Sequence, residues 1–485
     1  MSVTTAASGR FNMTIDGKSH EGSDQPFTVY NPYDGSVVAE APTCSKEDLD
    51  LAVEGARKAL PAWSAKTFEE RKEVLQKMSA ILDKNKESLS KLLVLEQGKG
   101  LPQAEFEIMA SQIWFQSAFK MENPNKTLND SEQAKVQKTY RPLGVVGCIV
   151  PWNFPLVLFH FKVPLALLAG CTIVLKPSEN TPLSTLELAR LYNEVLPPGV
   201  LNVVTSEQRD LGEWMVAHPG IDKISFTGST STGKKILENS AKHLKRVTLE
   251  LGGNDAAIVL EDADPKSTAA SLFQSAFINS GQVCVAVKRV FVPESIFDEV
   301  VNGIAEHARN APFGNGLEEG MFFGPINNGM QYERVRELLV DALDNGAEMV
   351  VGEVPPPRDD TKGYMFKPVV LRNVKEGMRI VDEEQFGPVL PVLSYTDIED
   401  AIHRANDTEY GLGASVWTSN EDEGEKVASR LNAGTVWINT HAEMDGTVGF
   451  GGAKCSGIGC EGGSEGLLSF MQLHVLHTKR ASPQQ

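Results

Sequence analysis

A chain of 485 residues is long enough for about three domains and a large core. A formal net charge of -18 argues against a nucleic-acid binder, which needs a basic face, and against an anionic membrane surface. The 41% hydrophobic and 23% charged residues are ordinary for a water-soluble protein, and six scattered cysteines without a CxxC pair fit reduced thiols, not a disulfide framework or a metal site.

The first ten residues lack the apolar segment of a secretory signal, and the last five match no retention or peroxisomal address, so a cytoplasmic location is expected. Residues 27–30 and 36–39 flank an Asn31-Pro32-Tyr33-Asp34-Gly35 turn and are predicted to pair antiparallel. Ser45, followed by Glu47 and Asp48, opens a helix to about Leu60. Helical spacing runs over 67–95 and again over 102–121, in a region that reads as scaffold without chemistry. The polar stretch 123–141 suits a solvated hairpin or an arm to a neighbouring subunit.

From Gly144 the pattern alternates. Strands are predicted at 145–150, 172–175, 200–204, 223–226 and 247–251, with helices around 156–169, 182–195, 210–217 and 232–243. This alternation implies an open parallel α/β sheet. The apolar run 145–175 is long enough to span a bilayer. Pro151, Asn153, Pro155, His160, Lys162 and Pro164 interrupt it, so a buried βαβ unit is expected.

Ligands of such sheets sit beyond the carboxyl ends of the strands. The first strand leads into Pro151-Trp152-Asn153-Phe154-Pro155 and the second into Lys176-Pro177-Ser178-Glu179. The fourth leads into Gly228-Ser229-Thr230-Ser231-Thr232-Gly233-Lys234 and the fifth into Glu250-Leu251-Gly252-Gly253-Asn254. A Gly/Ser/Thr loop feeding a helix suits a phosphate, and Glu179 is placed to accept from ribose hydroxyls. None of these strand-end loops carries a GxGxxG, and Lys235 stands where a Walker motif has its hydroxyl, so a dinucleotide loop and an ordinary helix cap both remain open.

A second α/β unit begins at Asp255, with a strand at 256–260 and a helix to about 278. The loop Asn279-Ser280-Gly281-Gln282-Val283-Cys284 follows, then strands near 290–292, 347–351 and 434–439. A thiol on such a loop is a nucleophile where cations or dipoles lower its pKa, and otherwise a small buried hydrophobe. The tail 467–477 fits an edge strand.

Six segments stand together in order and spacing: Pro151-Trp152-Asn153-Phe154-Pro155, Phe226-Thr227-Gly228-Ser229, Leu249-Glu250-Leu251-Gly252-Gly253, Gly281-Gln282-Val283-Cys284, Glu383-Glu384-Gln385-Phe386-Gly387-Pro388 and Phe450-Gly451-Gly452. This set resembles the signatures of the aldehyde dehydrogenase superfamily over about residues 10–478. The resemblance implies a Rossmann-type NAD(P)-binding α/β domain (1–123 and 142–252, with 440–465 returning to it) and a catalytic α/β domain (253–439). A small β arm (124–141 and 466–485) would join a homodimer or homotetramer. It also implies Cys284 as nucleophile, Glu250 as general base and Asn153 as oxyanion donor, with Lys162 and Glu461 as a proton relay. Trp152, Lys176, Ser178, Glu179, Gly228, Ser229, Gly252, Glu384 and Phe386 would hold NAD, with NADP possible. Phe154, Leu158, Phe161, Val283, Val285, Met444 and Phe450 would line the substrate tunnel; no metal is implied.

The chemistry suits these residue types. A thiolate can form a thioester and leave it again. Asn153 and the Cys284 backbone N–H would receive the negative charge that attack creates, and a buried carboxylate with a raised pKa can activate water. Taken one at a time, Asn153 is equally a turn residue, Glu250 half of a structural ion pair, Glu384 a solvated acid and Lys162 a snorkelling lysine. The family usually has proline where Gly449 stands and often arginine where Cys460 stands; Cys455 and Cys460 suit buried spectator thiols. An apolar, aromatic lining points to an aliphatic or aryl aldehyde, and Glu179 favours NAD by repelling a 2′-phosphate. The rivals are a CoA-acylating semialdehyde dehydrogenase, against which Glu250 counts, and a silent NAD-binding scaffold protein.

Overall fold

The computed structural model describes residues 11–208 and 210–480; the readings of residues 1–10 and 481–485 lie outside the described residues. Two large sheets and two small ones organise the chain, the smallest being the expected antiparallel pair of Asp24–Tyr30 with Val37–Thr43. Across the first sheet the strands run Gly457–Ile458, Arg246–Glu250, Lys223–Thr227, Val145–Ile149, Thr172–Lys176, Leu201–Val203, Met13–Ile15 and Lys18–His20. The middle five are parallel, because helices return the chain between them. The outer three pair antiparallel.

Strand order exposes a switch point. From Val145–Ile149 the chain steps outward through Thr172–Lys176 and Leu201–Val203, then returns to the other flank at Lys223–Thr227. The loops leaving Ile149 and Thr227 therefore part company and leave a crevice at the carboxyl ends of the strands. The run that could have been a membrane span resolves into strand Val145–Ile149, helix Pro155–Ala169 and strand Thr172–Lys176, nearly all buried. Among the described residues no helix is long and apolar enough to cross a membrane.

The second sheet runs Glu348–Val351, Val369–Arg372, Val389–Tyr395, Val287–Pro293, Asp255–Val259, Gly413–Trp417 and Thr435–Ile438, parallel apart from the first strand. Four residues, 251–254, join the end of Arg246–Glu250 to the start of Asp255–Val259. So short a link holds the carboxyl edge of the first sheet against the amino edge of the second. The third sheet pairs Met471–Lys479 with Ala134–Pro142, which pairs in turn with Lys126–Asp130. The stretch read as hairpin or arm is thus a hairpin completed by the tail.

Several predicted boundaries move. The helix opened by Ser45, with its reciprocal Ser45–Asp48 capping bonds, runs through Pro61 to Ser64. The 67–95 pattern is two helices, Phe68–Lys84 and Lys86–Gln97, because Asn85 leaves helical geometry and turns its side chain back onto the Ile81 carbonyl at 2.7 Å. Residues 467–469 end the helix Gly463–Ser469, so the tail strand starts only at Met471. The hairpin Met13–Ile15 with Lys18–His20 was not anticipated; it turns through Asp16 and Gly17, both at positive φ.

Helix Pro155–Ala169 is the centre of the first core. Phe159 is fully buried, with ring centroids 5.0 Å from His160 and 6.0 Å from Tyr192. Phe159→Ala is expected to cost about 3–5 kcal/mol, read as an earlier first transition in a denaturant titration.

Candidate active site

The crevice between the two large sheets gathers residues that lie far apart in sequence. The loop after Ile149 brings Asn153, the end of Arg246–Glu250 brings Glu250, and the loop before Val287–Pro293 brings Cys284.

The cysteine loop is bent in an unusual way. Asn279, Ser280 and Gly281 follow one another at φ 50°, 55° and 73°, a left-handed run that costs a non-glycine residue about 1–2 kcal/mol. Gly281 is required, since a Cβ there would lie 2.3 Å from the Gly387 carbonyl. Hydrogen bonds hold the bend. Ser280 Oγ donates to Gly324 O at 2.7 Å, Asn279 Nδ2 to Asn153 O at 3.0 Å, and Gln282 Nε2 to Asn279 O at 2.9 Å. Asn153 Nδ2 donates to Gln282 O at 2.9 Å, so the candidate oxyanion donor is anchored two residues from Cys284. Asn153 is 3% exposed and is no mere turn residue.

Cys284 is half-buried. Burial pushes its thiol up to about 12; Lys288 pulls it down, while Glu384, Asp255 and Glu250 push it further up. Glu250 is buried and neither of its carboxylate oxygens has a hydrogen-bond partner in the protein. It is not half of an ion pair. Burial first, and Glu461 second, hold its carboxyl well above the usual range, against the pull of Lys162. Lys162 does not snorkel: its side chain is fully buried, and Nζ donates to Glu461 Oε1 at 2.8 Å and to Ser225 Oγ at 3.0 Å. Ser225 Oγ donates to the same oxygen at 2.6 Å. Glu461 is presented by its backbone pairing with Phe450, N–O 2.7 and 2.8 Å.

Of the residues expected on the cofactor side, Trp152, Lys176, Ser178, Glu179, Gly228, Ser229 and Gly252 follow strands of the first sheet, while Glu384 and Phe386 come from the loop before Val389–Tyr395. Lys176 Nζ lies 3.8 Å from Glu179 Oε2, and burial lowers the lysine's pKa. Ser178 Oγ donates weakly to Glu179 at 3.4 Å. Gly228 leads to Ser229, the exposed cap of helix Thr230–Ala241, whose first turn carries no acid. Such an amino terminus accepts a phosphate. Glu384 is only partly exposed; it accepts from Gly253 N at 3.1 Å and lies 3.4 Å from Lys288 Nζ. A Cβ on Gly252 would sit 2.3 Å from Glu384 Oε2, so a larger residue there would displace the carboxylate from this position. Phe386 packs edge-on against Trp152, centroids 5.4 Å apart. An exposed helix cap, the acid Glu179 and the half-buried carboxylate of Glu384 along one crevice fit a dinucleotide.

Leu158, Phe161, Val283, Val285 and Phe450 are buried in one apolar cluster, with Phe154 and Met444 half-buried against it. Phe161 lies 6.1 Å from Phe450 and 4.0 Å from Trp114, which sequence reading had left in the scaffold. Gly449 has room for a side chain, since a Cβ would meet nothing closer than 3.5 Å. Cys455 and Cys460 are half-buried rather than buried.

A second omission matters more. Lys99 and Glu107, also assigned to the scaffold, form a fully buried ion pair at 2.5 Å. Lys99 Nζ donates to Asn153 O at 2.9 Å and sits 3.8 Å above the Phe154 ring. Glu107 Oε1 accepts from Leu156 N at 2.8 Å and Val157 N at 3.2 Å, capping helix Pro155–Ala169. No motif announces such a pair, because lysines and glutamates are usually solvated.

The sequence profile of the aldehyde dehydrogenase family matches residues 19–476. The chain is similar to a phenylacetaldehyde dehydrogenase of Pseudomonas fluorescens, 37% identical over 91% of this chain and 90% of that one. It is also similar to an aldehyde dehydrogenase of Bacillus cereus solved as an NAD+ complex, 38% identical at TM-score 0.94, with 98% of each chain covered. A betaine aldehyde dehydrogenase of Staphylococcus aureus, solved with NAD+, matches at 31% identity and TM-score 0.94, covering 99% of this chain and 98% of that one.

Removing one partner of a buried ion pair strands the other charge. Lys99→Met is expected to destabilise the protein by about 3–5 kcal/mol and Lys99→Met/Glu107→Leu by much less, both measured by denaturant unfolding.

Proposed function

The chain belongs to the aldehyde dehydrogenase family, and on that premise we propose that it oxidises an aldehyde to the carboxylic acid through a thioester on Cys284. The observation that carries this reading is the Asn153–Gln282 bond of 2.9 Å, which sets an amide donor beside the thiol's loop. The Cys284 thiol gives up its proton to water and its sulfur attacks the aldehyde carbon, so that the carbonyl oxygen takes up negative charge. An amide nitrogen carries two N–H donors. One of those on Asn153 is engaged by Gln282, and the other receives the oxyanion together with the Cys284 backbone N–H. NAD, when bound, supplies the hydride acceptor that turns this adduct into a thioester; Glu179 favours it over NADP, with Lys176 partly offsetting the preference. Glu250 then takes a proton from water as the water attacks the thioester; the C–S bond breaks, the carboxylic acid departs and Cys284 is left as the thiolate, and the proton on Glu250 leaves toward Glu461 and Lys162. The raised pKa of Glu250 suits this step, since a stronger base takes the proton more readily.

The aromatic cluster of Phe161, Phe450 and Trp114 and the likeness to a phenylacetaldehyde dehydrogenase favour an apolar aliphatic or aryl aldehyde. The sheet formed by Lys126–Asp130, Ala134–Pro142 and Met471–Lys479 leaves Leu128, Leu473, Val475 and Leu476 exposed, which favours burial against a second copy in a homodimer or homotetramer. With its acidic surface and reduced cysteines we place the protein in the cytoplasm.

NADH formation with an aryl aldehyde tests the mechanism. Glu250→Gln is expected to give a burst of one NADH per active site followed by turnover slowed at least about a hundredfold. Asn153→Ala is expected to lower kcat by about 10²–10³. Loss of the burst together with turnover in Glu250→Gln would contradict the division of labour between Cys284 and Glu250. Glu250 must be ionised to act as base, so kcat rises with pH through its raised pKa. Glu461→Gln removes a carboxylate that raises Glu250 and releases the Lys162 ammonium that lowers it. Both changes act in one direction, so the acid limb of the kcat–pH profile is expected about one unit lower in that variant.

A further inference from the structure

Lys288 is the second residue of strand Val287–Pro293, four residues after the nucleophile, and it is 2% exposed. A buried lysine with an ordinary structural role needs one carboxylate or a few carbonyls. This one reaches across two loops. Nζ donates to Val283 O and to Cys284 O, each at 2.7 Å, and lies 3.4 Å from Glu384 Oε1. These three acceptors match the three N–H donors of an ammonium. The backbone repeats the connection: Gln385 Nε2 donates to Lys288 O at 3.1 Å, and Gln331 Nε2 holds the carbonyls of Gln385 and Phe386 at 3.0 Å each. Phe386 itself sits at a positive φ of 48°, with its ring centroid 6.0 Å from the ammonium.

Resting on the reading of Cys284 as nucleophile and Glu384 as a cofactor-side carboxylate, we propose that Lys288 is a positioning residue: its single ammonium ties the nucleophile's loop to the loop of Glu384 and holds positive charge between thiol and carboxylate. The charged groups that face this point come from every element packed there. Glu384 comes from the loop before Val389–Tyr395, Asp255 from the start of Asp255–Val259, and Glu250 from the end of Arg246–Glu250. His441 lies 3.5 Å from Asp255 and bonds Val285 O at 2.7 Å. Arg289, the neighbouring cation, points away and spends its donors on Asn254 O and Ala405 O at 3.0 Å. The thiol is therefore surrounded by three carboxylates that disfavour its thiolate and by Lys288, which favours it. Without that ammonium the thiolate would form against negative charge alone. Glu384, itself pushed up by burial and pulled down first by Lys288, would lose its counter-ion.

The test is the pH profile of iodoacetamide alkylation at Cys284, read by peptide mass spectrometry, beside NADH affinity read by fluorescence. Lys288→Gln keeps a donor for one carbonyl but removes the charge. It is expected to move the alkylation midpoint up by about one unit, slowing labelling about tenfold at fixed pH below it, and to weaken NADH binding several-fold. Lys288→Arg keeps the charge and is expected to keep the midpoint. Glu384→Gln removes the opposing carboxylate, so its midpoint is expected to fall; this variant carries the test where Lys288→Gln does not fold. A folded Lys288→Gln with unchanged midpoint and NADH affinity overturns the inference while leaving the nucleophile reading intact. So does an unchanged midpoint in Glu384→Gln. NADH production that survives Cys284→Ala overturns both.

Discussion

Asn153 is held from both sides of the crevice. Its carbonyl accepts from Lys99 on the first-sheet side and from Asn279 on the cysteine loop, while its amide donates to Gln282 on that same loop. The bonds to Asn279 and Gln282 cross between the two large sheets, which the short link 251–254 holds edge to edge. If Asn153 shifts, three hydrogen bonds, the cap on helix Pro155–Ala169 and the bend before Cys284 must shift with it. The left-handed run at 279–281 persists because this network over-determines it.

Around that point the molecule distributes buried charge unevenly. Lys99 pairs with Glu107, Lys162 with Glu461 and Lys288 with Glu384. Each pair supports a neighbour that the proposed chemistry needs: the oxyanion donor, the base and the thiol respectively. Glu250 stands apart, because the nearest ammonium that would lower its pKa is already committed to Glu461. Burial costs an unpaired carboxylate several kcal/mol in its charged form, and a raised pKa is the usual outcome. A carboxylate left in this condition is poorly suited to structure and well suited to proton abstraction.

Much of this arrangement was legible in the sequence. Strands buried on both faces betray themselves as apolar runs, and the helices between them by spacing, so the alternation over 144–278 was legible to within a few residues, whereas strands Val369–Arg372, Val389–Tyr395 and Gly413–Trp417 were not placed. Chain breaks without Pro or Gly were harder. Asn85 splits a helix through one side-chain bond, and the three-residue strands at Met13–Ile15 and Lys18–His20 are too short to show a period. The motifs brought Asn153, Glu250, Cys284 and Glu384 forward, and the fold sets them around one crevice. Lys99, Glu107 and Lys288 went unread for a common reason. Their roles depend on partners that topology supplies, not on neighbours in sequence; Lys162 and Glu461, 299 residues apart, were paired only by family resemblance.

The most direct measurement is intact-mass and peptide analysis of rapidly quenched Glu250→Gln after mixing with NAD and an apolar aldehyde. One acyl group per chain is expected, attached at Cys284 and absent from Cys284→Ser treated in the same way. An adduct on another cysteine, or none at all from a protein that still reduces NAD in wild-type form, would contradict it.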